Sequence, residues 1–161
     1  MNKVAIMGFG NPVRSDDAVG CYVIEELRKT KIGEDPNVTL LDMGTSAFEV
    51  LFSLKGHDQI IIIDGVINSD DTDGTLFKLP ASEVKANIQD DPMVFLHSLK
   101  WDQALSYANK IMNDDFPEDN ITVYLIAITN TKLEVEMSVE VKSAAERLVN
   151  IIVDDIYQNA S

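Results

Sequence analysis

Short apolar runs without polar alternation recur along the chain, and each is typical of a strand that is buried on both faces of a sheet. Four such runs cover residues 4–7, 38–41, 60–63 and 123–128. A further segment, residues 74–79, follows the third run too closely for a helical crossover, so we expect a short antiparallel or edge strand there. The pattern therefore predicts five strands.

Apolar residues at helical spacing separate these runs. They predict a first helix that begins near Asp17, a short helix around 48–52, a third helix over 101–112, and a C-terminal helix. The apolar positions of the C-terminal helix are Ala144, Leu148, Ile151, Ile152 and Ile156. Strands that alternate with helices imply right-handed crossovers and a mainly parallel sheet with helices on both faces.

The predicted fold class is therefore α/β, and the length of 161 residues fits a single domain over residues 1–161. Ser15 or Asp16 is expected to cap the first helix, and Ser138 the last, because short polar side chains satisfy the free N–H groups of a helix start.

Acidic side chains outnumber basic ones by 27 to 13, which gives a formal net charge of −14. Such a surface repels phosphate backbones and anionic headgroups, so we expect no nucleic acid and no membrane insertion. Cys21, the single cysteine, cannot form an internal disulfide, and the chain enters its first predicted strand without a signal peptide. These features predict a cytoplasmic protein, which we expect to be a monomer.

A glycine-containing loop at residues 8–11 follows the first predicted strand. A dinucleotide-binding loop would need a glycine where Val13 stands, and Pro12 removes an amide N–H that a phosphate would use. The paired carboxylates of Asp16 and Asp17 would also repel pyrophosphate. The loop is therefore interpreted as a strand-to-helix turn.

Three side chains could form a metal site. Asp17 opens the first helix, Asp64 closes the isoleucine run, and His97 opens the helical run 96–112, whose apolar spacing is clear over 101–112. Two carboxylates and an imidazole can hold a borderline divalent ion such as nickel or zinc. Each residue also has a simpler interpretation, since Asp64 can cap the following loop and a lone histidine is often structural. Cys21 has no Cys-His signature around it and is interpreted as a buried free thiol.

Several short motifs occur in the order that they have in one known family. They are Gly8-Phe9-Gly10-Asn11, Asp16-Asp17 with Gly20, Asp42-Met43-Gly44-Thr45, Ile63-Asp64-Gly65, Gly74-Thr75 and His97 at a helix start. In these motifs the first two thirds of the chain resembles the hydrogenase maturation proteases, endopeptidases that trim the C-terminus of the large subunit of nickel-iron hydrogenases. Departures from the family pattern include Ala18 and Met43, and they leave the particular hydrogenase open.

The resemblance implies a three-layer sandwich, with a twisted, mainly parallel five-stranded sheet, one antiparallel strand and helices on both faces. It also implies that Asp17, Asp64 and His97 are both the metal-contacting and the catalytic residues. Asp42, Gly44 and Thr45 would recognise the substrate. The implied metal is nickel supplied by the large-subunit precursor, for which zinc or cadmium can substitute in vitro. The implied partner is that precursor.

Two other hypotheses remain open from the sequence. The chain could be a nucleotide- or effector-binding α/β module without catalysis that uses the loop at residues 8–11. It could also be a chaperone-like partner of the large subunit that has lost activity, although the retention of all three candidate ligands argues against this.

Overall fold

A five-stranded sheet forms the centre of the molecule. The computed structural model describes residues 3–44, 56–67, 69–80 and 118–158. Its strands are β1 (Val4–Phe9), β2 (Val38–Gly44), β3 (Gln59–Val66), β4 (Leu76–Pro80) and β5 (Ile121–Ala127). Their order across the sheet is β2-β1-β3-β5-β4, with parallel pairing except for the antiparallel edge strand β4. Both the mainly parallel sheet and the antiparallel edge strand are confirmed.

Two helices, α1 (Val19–Arg28) and α2 (Val139–Gln158), pack against each other and against the sheet. Helix α1 contacts β1, β2 and β3, and α2 contacts β5. In α2 the predicted positions Ala144, Leu148 and Ile152 are buried, whereas Ile151 is 43% exposed. Ile151 is one residue from Ile152 and so lies about 100° around the helix from it, away from the packed side. None of the helices in the described residues could cross a membrane.

Strands β1, β3 and β5 are buried on both faces, as the lack of polar alternation predicted. The same prediction is wrong for residues 38–41, because β2 lies at an edge of the sheet and Thr39 is exposed. On the face under α1 and α2, Ile6, Ile63 and Ile126 belong to one core cluster with the helices. On the opposite face, Met7 and Ile62 are also fully buried. The helices predicted around residues 48–52 and 101–112 lie outside the described residues.

The carboxyl ends of β1, β2 and β3 meet at one edge of the sheet. Gly8 of β1 is in register with both Asp42 of β2 and Ile63 of β3. The chain places β2 on one side of β1 and β3 on the other, so the crevice between β1 and β3 is the point where the strand order reverses. Open α/β sheets bind their ligands at this position.

Candidate active site

The loop after β1 holds Asp17 in place. Gly10 has a φ of +148°, and a Cβ there would overlap the carbonyl oxygen of Asp17, so only glycine allows this close approach. The backbone N–H of Asn11 donates to Oδ2 of Asp17 at 3.2 Å. Asp17 lies in a 3-10 turn, Ser15–Ala18, and its side chain is half-buried. The glycine-containing loop therefore positions a carboxylate.

The first turn of α1 lies directly on the ends of β1 and β3. A Cβ on Gly20 would overlap the carbonyl oxygen of Phe9 and would lie 2.7 Å from that of Ile63. Asp17 precedes this contact by three residues, and Asp64 follows Ile63. The close packing at Gly20 therefore brings the segments that carry Asp17 and Asp64 to the same crevice, at the point of strand-order reversal.

Asp64 is fully buried at the end of the isoleucine run. Its Oδ1 accepts a hydrogen bond from the N–H of Gly65 at 2.7 Å. A buried carboxylate is costly unless charge or hydrogen bonds compensate for lost water, so its presence at a strand end favours a functional role beyond loop capping. The charge of Asp64 also acts on Cys21, because it contributes to raising the pKa of that thiol.

The end of β2 is joined to the loop after β1. Oδ1 of Asp42 accepts from the N–H of Gly44 at 3.2 Å, and the carbonyl oxygen of Gly44 accepts from the N–H of Gly10 at 2.8 Å. The register between β1 and β2 shifts after Asp42, which leaves Met43 in a bulge. Asp42 and Gly44 therefore lie at the same sheet edge as Asp17 and Asp64.

Two of the predicted site residues, His97 and Thr45, lie outside the described residues, and their positions stay predictions. Within those residues, no group of three or more histidine, cysteine or acidic side chains forms a metal site. Asp17 and Asp64 each have a carboxylate oxygen held by a backbone N–H. Two carboxylates at one crevice are a donor set that suits a borderline divalent ion when an imidazole completes it.

Cys21 is a buried thiol, as predicted. Its side chain is close to the carbonyl oxygen of Gly10, to which it donates at 3.5 Å. Burial and then the neighbouring carboxylate of Asp42 raise the pKa of Cys21, so the thiol stays protonated at neutral pH. This environment opposes a nucleophilic role.

Asp16 has a structural role that its sequence context does not indicate. The expectation that Ser15 or Asp16 caps the first helix is wrong, since no side chain makes a capping hydrogen bond at the start of the 3-10 turn or of α1. Instead, the fully buried Asp16 accepts from the backbone N–H of Ser138 at 2.7 Å and from its hydroxyl at 2.9 Å. Ser138 directly precedes α2, so Asp16 joins the start of α2 to the turn that carries Asp17.

The segment that leads into the first residue of α2, residues 133–139, also contacts this turn. We term it the 133–139 strip. Ser15 has a φ of +52°; its N–H donates to the carbonyl oxygen of Glu134 and its hydroxyl to that of Glu136, both at 2.7 Å. Apolar and polar residues alternate along this segment of the sequence. The alternation indicates that one side of this segment is apolar. It does not indicate that the segment contacts Ser15.

Comparisons with known proteins point to one family. A family model described as hydrogenase maturation protease matches residues 21–155. A hydrogenase 2 maturation protease of Escherichia coli K12 is 32% identical over 84 residues, which are 52% of this chain and 51% of that protein. The chain therefore spans about half the length of this curated relative.

Solved structures share the fold over nearly the whole chain. The hydrogenase maturating endopeptidase HybD from E. coli is 20% identical, with a TM-score of 0.77 over 98% of this chain and 93% of the other. The [NiFe] hydrogenase maturation protease HybD from Thermococcus kodakarensis is also 20% identical, with a TM-score of 0.72 over 94% and 97%. At this identity the likeness shows the fold alone.

Proposed function

This chain belongs to the hydrogenase maturation protease family, and from that premise we propose that it is an endopeptidase acting on the precursor of a nickel-iron hydrogenase large subunit. It removes the C-terminal extension of a precursor that already carries nickel. The observation that carries the proposal is the juxtaposition of Asp17 and Asp64 at the crevice between β1 and β3. A non-catalytic nucleotide-binding module has no comparable support.

Asp17, Asp64 and His97 are the proposed metal-contacting and catalytic residues. The nickel belongs to the substrate, and two carboxylates with one imidazole leave coordination positions open for groups of the precursor and for water. When bound, the metal supplies Lewis-acid chemistry to the scissile carbonyl or to a water molecule. Zinc or cadmium is expected to substitute in vitro.

The chain's own contribution is to hold the two carboxylates in place before the substrate arrives. The N–H of Asn11 fixes Oδ2 of Asp17, and the N–H of Gly65 fixes Oδ1 of Asp64. Their second oxygens are then oriented without an entropy cost at the moment of binding. Hydrolysis adds the oxygen of water to the carbonyl carbon and hydrogen to the departing nitrogen as the C–N bond breaks.

Asp42, Gly44 and Thr45 are the proposed substrate-recognition residues. Asp42 is exposed at the end of β2 and its carboxylate turns back to the N–H of Gly44, which presents a fixed acidic group beside the crevice. We further propose a cytoplasmic location, and a monomer that meets its precursor transiently.

Substitution of the three metal-contacting residues tests the function. Asp17→Asn, Asp64→Asn and His97→Gln keep the side-chain size and remove the charge or the ligand nitrogen, so we expect cleavage of the nickel-loaded precursor to fall by about 100-fold or more. Mass spectrometry of the large subunit measures the cleavage, with nickel-free precursor as a second substrate. His57→Gln and Asp154→Asn are matched controls, because His57 precedes β3 at the end of the sheet opposite the crevice and Asp154 lies near the carboxyl end of α2.

Unfolded variants are identified by their thermal melts and set aside. Normal cleavage by all three folded variants, or equal cleavage of nickel-loaded and nickel-free precursor, would contradict the proposed metal role. Absence of cleavage by the unsubstituted protein would overturn the proposed function itself.

A further inference from the structure

A groove of about 740 Å³ lies beside the candidate active site. Its lining includes Ala18, which directly follows Asp17, and Asp42 at the end of β2. It also includes Val135 and Val139, from the 133–139 strip. The groove therefore borders the crevice that holds the proposed catalytic carboxylates.

The 133–139 strip exposes several apolar side chains. Leu133, Val135 and Val139 are 73%, 78% and 79% exposed. Isolated exposed apolar residues are ordinary, but closely spaced ones beside a groove are typical of a surface that contacts another molecule. The strip is also fixed in position, because carbonyl oxygens of Glu134 and Glu136 accept hydrogen bonds from Ser15. A partner therefore meets side chains that are already ordered, which reduces the entropy cost of binding.

The charge of the groove is mainly negative. Among the described lining residues, the acidic ones are Glu25, Asp42, Glu136 and Glu146, and the basic one is Lys142. A segment with both apolar and basic side chains would complement this lining in polarity and in charge. A second copy of this chain is a poor occupant, because it carries the same net charge of −14.

We propose that the groove binds the C-terminal extension of the precursor as an extended, basic and apolar segment. This inference rests on the proposed function and names the part of the substrate that the protein recognises. The extension ends in a free terminus, so it can lie along the groove without unfolding the body of the large subunit. Its apolar side chains pack on Val135 and Val139, and its lysine or arginine side chains face Glu136 and Glu25.

Steady-state cleavage of the nickel-loaded precursor tests the groove. Glu136→Lys is expected to raise KM by roughly 5- to 10-fold and to leave kcat unchanged. The lost contact would stabilise the bound precursor and the transition state to the same extent. Val135→Ser with Val139→Ser is expected to raise KM by a similar factor. The matched controls are Asp154→Lys and Ile151→Ser, which alter an exposed acid and an exposed apolar residue of α2 outside the groove.

A charge exchange separates a direct contact from a general effect of charge. A precursor whose extension has its basic residues replaced by glutamate should be cleaved by the unsubstituted protein with a raised KM. Glu136→Lys should then restore part of the loss for that precursor, and Asp154→Lys should not. No rescue by Glu136→Lys overturns the proposed contact between this residue and the extension.

Photo-crosslinking identifies the occupant. A p-benzoylphenylalanine at position 135 is incubated with nickel-loaded precursor, irradiated and digested for mass spectrometry, with the same group at position 151 as a control. Crosslinks to the extension from position 135 alone support the proposal. Crosslinks from position 135 to the body of the large subunit, to a second copy or to another segment of this chain overturn it.

The two proposals fail in different ways. Cleavage by the unsubstituted protein together with an unchanged KM in both groove variants overturns the groove and leaves the endopeptidase function intact. No cleavage by the unsubstituted protein overturns the endopeptidase function and, with it, the assignment of the groove.

Discussion

Asp16 and Asp17 are adjacent carboxylates in different surroundings. Asp16 is fully buried and accepts two hydrogen bonds from Ser138, whereas Asp17 is half-buried at the crevice. Asp64 near the end of β3 and Asp17 in the turn after β1 could be placed from the sequence, because the carboxyl ends of parallel strands meet at one edge of the sheet. The role of Asp16 could not be predicted, because its partner lies 122 residues away and nothing local indicates the pairing.

Matched substitutions of these two residues should separate stability from activity. Asp16→Asn weakens charge-assisted hydrogen bonds to Ser138 in a buried position, so we expect the free energy of unfolding to fall by about 2–3 kcal/mol. Asp17→Asn should change it by less than about 1 kcal/mol and yet abolish precursor cleavage. Urea denaturation measures the first quantity and mass spectrometry the second. Equal stabilities for the two variants would contradict the structural role of Asp16.

The strands were the most predictable elements. The apolar runs of β1, β3 and β5 are buried on both faces, and burial on both faces requires sequences without alternation. The 133–139 strip was less predictable, because its alternating pattern resembles a strand although most of it has no regular structure. The start of α1 was also missed by a few residues: a 3-10 turn occupies Ser15–Ala18 and the α-helix begins at Val19.

The contact between α1 and the strand ends should depend on the absence of a side chain at Gly20. A Cβ there meets backbone carbonyl groups of Phe9 and Ile63, which cannot move without disrupting the sheet. Gly20→Ala should therefore lower the free energy of unfolding by about 3 kcal/mol, despite the higher helix propensity of alanine. Urea denaturation provides the measurement.

Gly56→Ala is the matched control for this substitution. A Cβ at Gly56 has nothing within 4 Å, so its cost comes from the φ of +88° and should be about 1 kcal/mol. Equal losses for the two alanine variants would show that close packing at Gly20 does not determine its effect.

Across the molecule, the resemblance and the pattern together predicted the sheet and its antiparallel edge. The burial of β1, β3 and β5 on both faces followed from the same pattern. The side-chain hydrogen bonds that α1 and α2 make with distant segments were not predictable, because they join residues that are far apart in sequence. The hydroxyl of Tyr22 in α1 donates to Glu146 in α2 at 3.4 Å, and that of Tyr157 donates to Asp35 at 2.9 Å.

These two tyrosines should make the fold sensitive to alkali. Burial and then neighbouring carboxylates raise the pKa of Tyr22 and Tyr157 from 10.0 to about 12. Between these values the folded protein retains protons that the unfolded chain has lost, so the stabilisation is complete below about pH 10 and is lost as the pH rises towards 12.

Thermal melts at about pH 9 and about pH 11 measure this loss. The double variant Tyr22→Phe and Tyr157→Phe should lose less stability over the same interval, because phenylalanine has no proton to release. If the double variant and the unsubstituted protein lose the same amount of thermal stability over this interval, the sensitivity to alkali comes from other groups.

The hydrogen bonds between Asp16 and Ser138 have a consequence for the time at which the Asp17 turn is anchored during synthesis. A ribosome that adds about 5–20 residues per second needs roughly 6–24 seconds to travel the 122 positions between these residues. During that time the nascent chain already carries Asp17 and later Asp64, but the serine that anchors the Asp17 turn has not been made. The turn that carries Asp17 therefore gains this anchor only late in translation, after the strands β1, β3 and β5 have been made.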